Sequence, residues 1–267
     1  MLNSVYHLKG FNLSLDPVLS NIIRACGQET PRTRIKVPAW NVDVILKHLT
    51  NAPYEPLRES SMRHLTQKTL FLIALATAKR VGELQALSAD IAFAADNNLI
   101  LSYLPEFIAK TDTPNHPIPR EFSISNLTTS VGRHDEERLL CPVRAIRCYL
   151  DRTRDLAGPR TLFRSVRDPS RPISKAAISS FLREVIQSAH KNFPDHLAPT
   201  LKVKAHDVRG VATSLLWTKN RSIADVMAAA CWRTQSVFAN HYFSSIQREQ
   251  NEVFSIGPIV AAGHIIP

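Results

Sequence analysis

Residues 70–76 are apolar at every position and lie inside a longer stretch, residues 66–78, with helical spacing. A helix that is apolar on all sides has to be covered on all sides, so it belongs at the centre of a fold. Lys79 and Arg80 interrupt the pattern directly after it. We therefore expect the other elements of the chain to pack around this segment, with a charged junction at its end.

Most of the remaining chain also has helical spacing, and the predicted helices cover residues 16–25, 40–50, 81–87, 142–150, 174–190, 206–219, 223–231 and 237–249. Four short β-prone stretches interrupt them, at residues 90–93, 99–104, 107–110 and 120–124. The turn-forming pairs Asn97-Asn98 and Pro114-Asn115 separate them. The predicted fold class is mainly α with a small antiparallel β-sheet (α+β). A basic, proline-bounded stretch at residues 30–38 predicts a domain boundary near residues 28–38.

Composition limits the function classes. The chain has 267 residues, 33 Lys and Arg against 23 Asp and Glu, and a net charge of +10. This excess favours a polyanionic partner, for which nucleic acid is the commonest choice, although a membrane surface or simple solubility also fits. The four cysteines show no Cys-x-x-Cys pair, which argues against a zinc site and a disulfide framework. The N-terminus has no signal-peptide pattern and no apolar run is long enough for a membrane span, so we predict a soluble, intracellular protein. No metal and no cofactor is predicted.

Several polar residues stand in unusual surroundings, and each has an ordinary alternative explanation. Arg80 follows the apolar helix, and Glu83 lies three residues on, where it can hold the guanidinium or form a plain salt bridge at a helix junction. His206 and Arg209 have the same spacing near the start of a predicted helix, where both side chains can bind a phosphate group. The ordinary alternative is that they lie on a solvent-exposed face of the helix. Tyr242 lies among aromatic residues, where core packing is the ordinary role.

The order of these residues is more informative than any one of them. The segments read "ATAKRVGELQALSADI" around Arg80, "KAHDVRGVATSLL" around His206 and Arg209, and "ACWRTQSVFANHYF" before Tyr242. Over residues 35–250 the chain resembles the catalytic domain of the tyrosine recombinase (phage integrase) family, whose chemistry is shared with type IB topoisomerases. A Cys-Trp pair replaces the family's Gly-His pair, and the segments look closest to recombinases of DIRS-like and Crypton-type mobile elements.

The resemblance implies a role for each of these residues. Tyr242 attacks the scissile phosphate, giving a 3′-phosphotyrosyl link and a 5′-hydroxyl. Arg80 and Arg209 bind the non-bridging oxygens. His206 contacts the phosphate and assists proton transfer, and Trp232 takes the place of the family's second histidine.

Two further roles follow from the same resemblance. Lys110, in the predicted hairpin, matches the lysine that protonates the leaving 5′-oxygen, with Lys79 and Lys68 left as alternatives. Glu83 takes the acidic position that supports the first arginine.

The resemblance also implies a setting for the domain. Residues 1–34 correspond to the remnant of an upstream core-binding region and linker, and residues 35–267 to the catalytic domain with a C-terminal tail. The expected partners are double-stranded DNA and further copies of the chain, as a tetramer on DNA, in the nucleus for a eukaryotic element and otherwise in the cytoplasm. An inactive DNA-binding protein and a relaxing enzyme of the topoisomerase IB type remain alternatives. The expected DNA contacts are Lys202, Lys204, Arg233, Arg34 and Lys36.

Overall fold

The computed structural model of the chain describes residues 15–29, 40–94, 97–112, 117–127, 135–191, 203–218, 222–231, 235 and 263–264. The chain divides into two compact units, Met1–Val37 and Pro38–Pro267. In the first unit, helix α1 covers Pro17–Glu29. The Asp16 carboxylate accepts hydrogen bonds from the backbone N–H groups of Val18 and Leu19, at 2.8 and 3.0 Å, as the Asp-Pro pair predicts. The assignment of residues 1–34 to an upstream region stays a prediction.

The second unit contains the other described helices, and local residues set several of their boundaries. The Asn41 side chain caps α2 by accepting from the backbone N–H of Asp43 at 2.8 Å, and the Ser61 side chain caps α3 in the same manner. Pro142 occupies the first turn of α6, where its missing N–H has no cost. The helices are α2 Val42–Leu49, α3 Met62–Thr77, α4 Val81–Gln85, α5 Asp135–Arg138, α6 Pro142–Thr153, α7 Lys175–Lys191, α8 Asp207–Thr218 and α9 Ile223–Ala229.

Helix α3 is the centre of this unit, as its sequence predicts. Every residue from Leu65 to Thr77 is buried. Helices α6, α7 and α8 all pack against it. Burial of the apolar side chains on every face is the main source of stability for such a helix.

The sheet has four antiparallel strands in the order β1-β2-β3-β4, namely β1 Ala92–Phe93, β2 Leu99–Ser102, β3 Glu121–Ile124 and β4 Gly263–His264. Leu101 of β2 lies opposite Phe122 of β3, and both are buried. The strand predicted at residues 107–110 is wrong. The chain turns there, with the backbone N–H of Phe107 donating to Leu104 at 3.0 Å, and the Phe107 ring packs on Tyr103 at 5.2 Å between centroids. Phe107 and Ala109 therefore pack against the core, whereas Ile108 is exposed.

The predicted fold class, mainly α with a small antiparallel sheet, is confirmed. The helix predicted at residues 237–249 lies outside the described residues. Within the described part of the chain, no helix combines the length and the apolar character needed to cross a membrane.

Candidate active site

The break between α3 and α4 places Arg80. Ala78 ends α3 with a left-handed φ of 52°, and the chain resumes as α4 after Arg80, whose backbone is extended. Glu83 stabilises this start, because its Oε2 accepts from the Arg80 backbone N–H at 2.8 Å and its Oε1 accepts from Arg80 Nη1 at 3.0 Å. The side chain of Arg80 is thereby fixed at the start of α4, at the end of the buried helix.

Glu83 also contacts the second predicted arginine. Arg209 Nη1 lies 3.5 Å from Glu83 Oε2. The side chains of Glu83 and Arg209 are 6% and 1% exposed, whereas that of Arg80 is 21% exposed. A single buried carboxylate therefore holds together two guanidinium groups that are far apart in sequence, and Arg80 is the one that reaches solvent.

Two helix ends anchor Arg209. Its Nη1 donates to the carbonyl of Ala78 at 2.7 Å, and its Nη2 donates to the carbonyl of Ala230. Ala78 ends α3, and Ala230 ends α9 just before Cys231, whose φ is 50°. The last carbonyls of a helix lack partners within the helix and carry partial negative charge, so a buried guanidinium satisfies both ends at once. Arg209 thus has a structural role besides any role in binding.

His206 and Lys110 complete the described part of the site. Helix α8 begins at Asp207, so His206 lies one residue before the helix predicted to contain it. Partial burial, followed by the positive charges of Arg209, Arg80 and Lys110, lowers the pKa of His206, which favours the neutral imidazole at pH 7. Lys110 is exposed in the connection between β2 and β3. Four predicted site residues and Glu83 are therefore close enough to interact.

Two residues beside the arginines were not assigned a role by the sequence. Lys79 is 5% exposed, and its ammonium lies 4.7 Å from the Phe122 ring centroid, 5.9 Å from that of Tyr103 and 3.8 Å from Cys231 Sγ. The Tyr103 hydroxyl is buried and has no hydrogen-bond partner among the described residues. The sequence names Lys79 only as an alternative to Lys110, and no pattern marks Tyr103.

The other alternative, Lys68, belongs to a separate buried cluster. Its ammonium contacts the Glu55 carboxylate and donates to the Leu49 carbonyl at 2.8 Å. Arg144 binds the same carboxylate with two hydrogen bonds, at 2.6 and 2.9 Å. Burial lowers the pKa of Lys68 to about 8, and its contacts are those of a structural ion pair.

The rest of the predicted set lies elsewhere. Lys204 is exposed, and its backbone N–H donates to Asp207 at 2.8 Å. Among the residues that the structure describes, no group of three or more His, Cys, Asp or Glu side chains is placed to hold a metal ion. The predicted site residues outside the described ranges are Tyr242, Trp232, Arg233, Lys202, Arg34 and Lys36.

The substitution Glu83→Gln is expected to lower the free energy of unfolding by about 3 kcal/mol, because it leaves two adjacent guanidinium groups without their shared buried charge. Urea denaturation measures this loss. Glu55→Gln is the matched variant, since Glu55 also bridges two cations, Lys68 and Arg144. Both variants are expected to lose stability, and a Glu83→Gln domain as stable as wild type would contradict the bridging role.

Comparison with known proteins rests on structure alone, since no protein-family model and no curated protein matches the sequence. The solved structure of XerA recombinase matches with a TM-score of 0.50 and 18% identity, over 77% of this chain and 61% of that one. A lambda integrase tetramer bound to a Holliday junction gives 0.45 and 16%, over 84% and 52%. The Tn1549 transposon integrase in complex with transposon right end DNA gives 0.48 and 16%, over 80% and 64%.

The chain thus spans about three fifths of the length of XerA, at an identity that carries information about the fold alone. In this chain, helices pack around a buried central helix and are joined by a small antiparallel sheet. Described by its architecture, the domain has the fold of a tyrosine recombinase catalytic domain.

Proposed function

We propose that the chain is the catalytic domain of a tyrosine recombinase, which cleaves and rejoins DNA strands through a 3′-phosphotyrosyl intermediate. The observation that supports this most directly is the single Glu83 carboxylate that holds both Arg80 and Arg209, with His206 in the field of the two guanidinium groups. An ordinary salt bridge would explain one arginine at a helix junction. It would not explain a second arginine at the same carboxylate, together with a histidine whose pKa both arginines lower.

The arrangement suits attack on a phosphodiester. As Tyr242 attacks, negative charge develops on the oxygens of a five-coordinate phosphorus. Fixed guanidinium groups stabilise this charge without having to reorganise, and the planar fork of arginine can bind two oxygens at once. Arg80 is the partly exposed member of the pair and is therefore suited to bind the incoming phosphate.

The proton transfers are assigned as follows. The Tyr242 oxygen forms a bond to phosphorus, and the bond from phosphorus to the 5′-oxygen breaks. The neutral His206 imidazole takes the phenolic proton, directly or through water, and Lys110 gives a proton to the leaving 5′-oxygen. Trp232 offers an indole N–H, which can donate a hydrogen bond but cannot shuttle a proton. Because the covalent link conserves the phosphodiester energy, the reaction needs no ATP. The guanidinium groups supply the positive charge at the phosphate, so the proposed steps use no metal ion.

The wider assignments extend this proposal. Basic residues give the protein a salt-dependent affinity for the phosphate backbone of the duplex but no sequence specificity. The active form is a tetramer on DNA, and the biological role is the integration or excision of a mobile element of the DIRS-like or Crypton type. The basic residues proposed to contact DNA are Lys202, Lys204, Arg233, Arg34 and Lys36.

A pool of duplexes randomised in sequence and carrying a nick near each potential cleavage site tests the function without a known target. Cleavage close to a nick releases the short 5′-hydroxyl fragment, so the covalent complex is trapped. We expect a protein–DNA adduct on denaturing electrophoresis, formed with EDTA present and ATP absent. Sequencing of the trapped DNA then identifies the preferred site.

Three outcomes separate the proposal from its alternatives. DNA binding without any adduct favours an inactive DNA-binding protein. An adduct together with relaxation of supercoiled plasmid, but no strand exchange between two copies of the selected site, favours a relaxing enzyme. Cleavage that needs a metal ion and leaves no protein attached contradicts the mechanism.

A further inference from the structure

Lys79 is a buried cation at the end of the central helix. Its ammonium lies 4.7 Å from the Phe122 ring centroid, 5.9 Å from the Tyr103 ring centroid and 3.8 Å from Cys231 Sγ. No carboxylate oxygen lies within 4.0 Å of it among the described residues. Removing an ammonium from water without a paired carboxylate costs free energy, which two aromatic faces offset only in part. A protonated Lys79 therefore weakens the stability of the domain.

The charged groups around Lys79 indicate a function for its positive charge. Glu83 and Arg209 both act electrostatically on the Lys79 ammonium, and Arg80 is the next residue in the chain. Three cations are thus gathered about the single carboxylate of Glu83. The cluster carries an excess of positive charge, as a site prepared for an anion does.

We propose that Lys79 is a positioning residue that supplies a third positive charge to the phosphate site, stabilising the anion held by Arg80 and Arg209 without touching it. This inference rests on the proposed recombinase function. The burial of Lys79 favours action through the electric field over direct contact, because its ammonium is enclosed by Tyr103, Phe122 and Cys231. In the low-dielectric interior such a charge acts strongly over several ångströms.

The charge of Lys79 depends on pH. Burial lowers its pKa from 10.5, while the neighbouring Cys231 and Glu83 raise it and Arg209 lowers it further. Arg80 and the buried Tyr103 hydroxyl are the other titratable groups beside it. A deprotonated Lys79 would leave two positive charges beside Glu83, those of Arg80 and Arg209, in place of three. Anion binding and cleavage should therefore weaken as the pH approaches 10.5.

A first test needs no DNA. Lys79→Met preserves volume and removes the charge. Since the folded-state pKa lies below 10.5, the folded wild-type domain binds fewer protons than the unfolded chain between these two values, so its stability rises with pH there. The melting temperature of Lys79→Met minus that of wild type is expected to be positive at pH 7 and to shrink towards pH 10.5. Inorganic sulfate should stabilise wild type more than Lys79→Met at pH 7.

A second test separates field stabilisation from proton donation. In a nicked duplex with sulfur in place of the 5′-bridging oxygen, the leaving thiolate needs no acid. The control Lys110→Ala is expected to be slow on oxygen and restored on sulfur. Lys79→Met is expected to lose on the order of tenfold to a hundredfold in adduct rate on both substrates. On the sulfur substrate, whose leaving group needs no acid, it is also expected to lack the alkaline decline of wild type. Lys79→Arg, which keeps the charge, should also lack that decline while retaining most of the rate.

Each contrary result has a distinct meaning. Restoration of Lys79→Met by sulfur would make Lys79 the proton donor and overturn the field role. Equal adduct rates, or a sulfate effect equal in the two proteins, would show that its charge does not reach the phosphate. A wild-type chain that forms no adduct but retains the Lys79-dependent sulfate effect would refute the recombinase function while leaving the anion site in place.

Discussion

Arg80→Ala is expected to lower the rate of covalent adduct formation by about 10³-fold or more while leaving the domain folded. Arg80 is 21% exposed, and its guanidinium has a single described hydrogen bond, to Glu83. The remaining N–H groups can therefore bind phosphate oxygens. The bond from the Arg80 backbone N–H to Glu83, which fixes the start of α4, survives in the alanine variant. Single-turnover adduct formation on the selected nicked duplex measures the effect.

Two control variants make this test specific. Arg80→Lys keeps the charge but loses the planar fork, so we expect a smaller loss of roughly a hundredfold. Arg144→Ala removes an arginine that is bound to a carboxylate in a separate cluster, with Glu55, and should reduce stability without reducing the adduct rate of the folded fraction. Equal rates for Arg80→Ala and wild type, with melting temperatures that confirm folding, would remove Arg80 from the phosphate site.

Substitution of Arg209 tests the catalytic role less cleanly than substitution of Arg80. It is 1% exposed and bonds to the carbonyls that end α3 and α9. Truncating it would leave both carbonyls and part of the Glu83 carboxylate unsatisfied in the interior, which costs stability in its own right. A loss of activity in Arg209→Ala would therefore combine structural and catalytic effects, whereas the loss in Arg80→Ala would be mainly catalytic.

The position of Arg80 follows from local information, and this is why the sequence could predict it. A helix that is apolar on every face must be covered on every face, and the polar residues directly after it must lie at its end. Glu83 is three residues away, within reach on one helical turn. Local pattern also locates His206 to within one residue of the start of α8.

The positions of Lys79 and Tyr103 could not be predicted from local sequence patterns. A lysine after a helix is ordinarily solvated, whereas Lys79 is buried beside the rings of Tyr103, directly after β2, and of Phe122 in β3. Tyr103 is positioned by pairing with Leu87, after α4, and by the turn in which Phe107 packs on its ring. The contacts of Tyr103 with Leu87 and Lys79 join segments distant in sequence, and no spacing rule within either segment predicts them. The turn likewise overrides the β-propensity of residues 107–110.

Tyr242→Phe is expected to abolish the covalent adduct, the largest effect of any single substitution in this chain. The other proposed site residues stabilise charge or move protons, so their loss slows the reaction, whereas removal of the phenolic oxygen removes the atom that bonds to phosphorus. Binding of the selected duplex should persist, because the arginines and the basic surface are unchanged. Denaturing electrophoresis and a DNA mobility shift, run on the same samples, measure the two properties.

Tyr103→Phe is the matched variant, because Tyr103 is the tyrosine that the structure places among the charged groups of the site. Burial strongly raises the pKa of Tyr103, with Glu83 and Cys231 acting in the same direction and Arg209 and Arg80 opposing them. A phenol that resists ionisation and is 5% exposed can neither become a phenolate readily nor reach a backbone phosphate. Tyr103→Phe should therefore still form the adduct. An adduct that persists in Tyr242→Phe and disappears in Tyr103→Phe would transfer the nucleophilic role to Tyr103 and require the site to open.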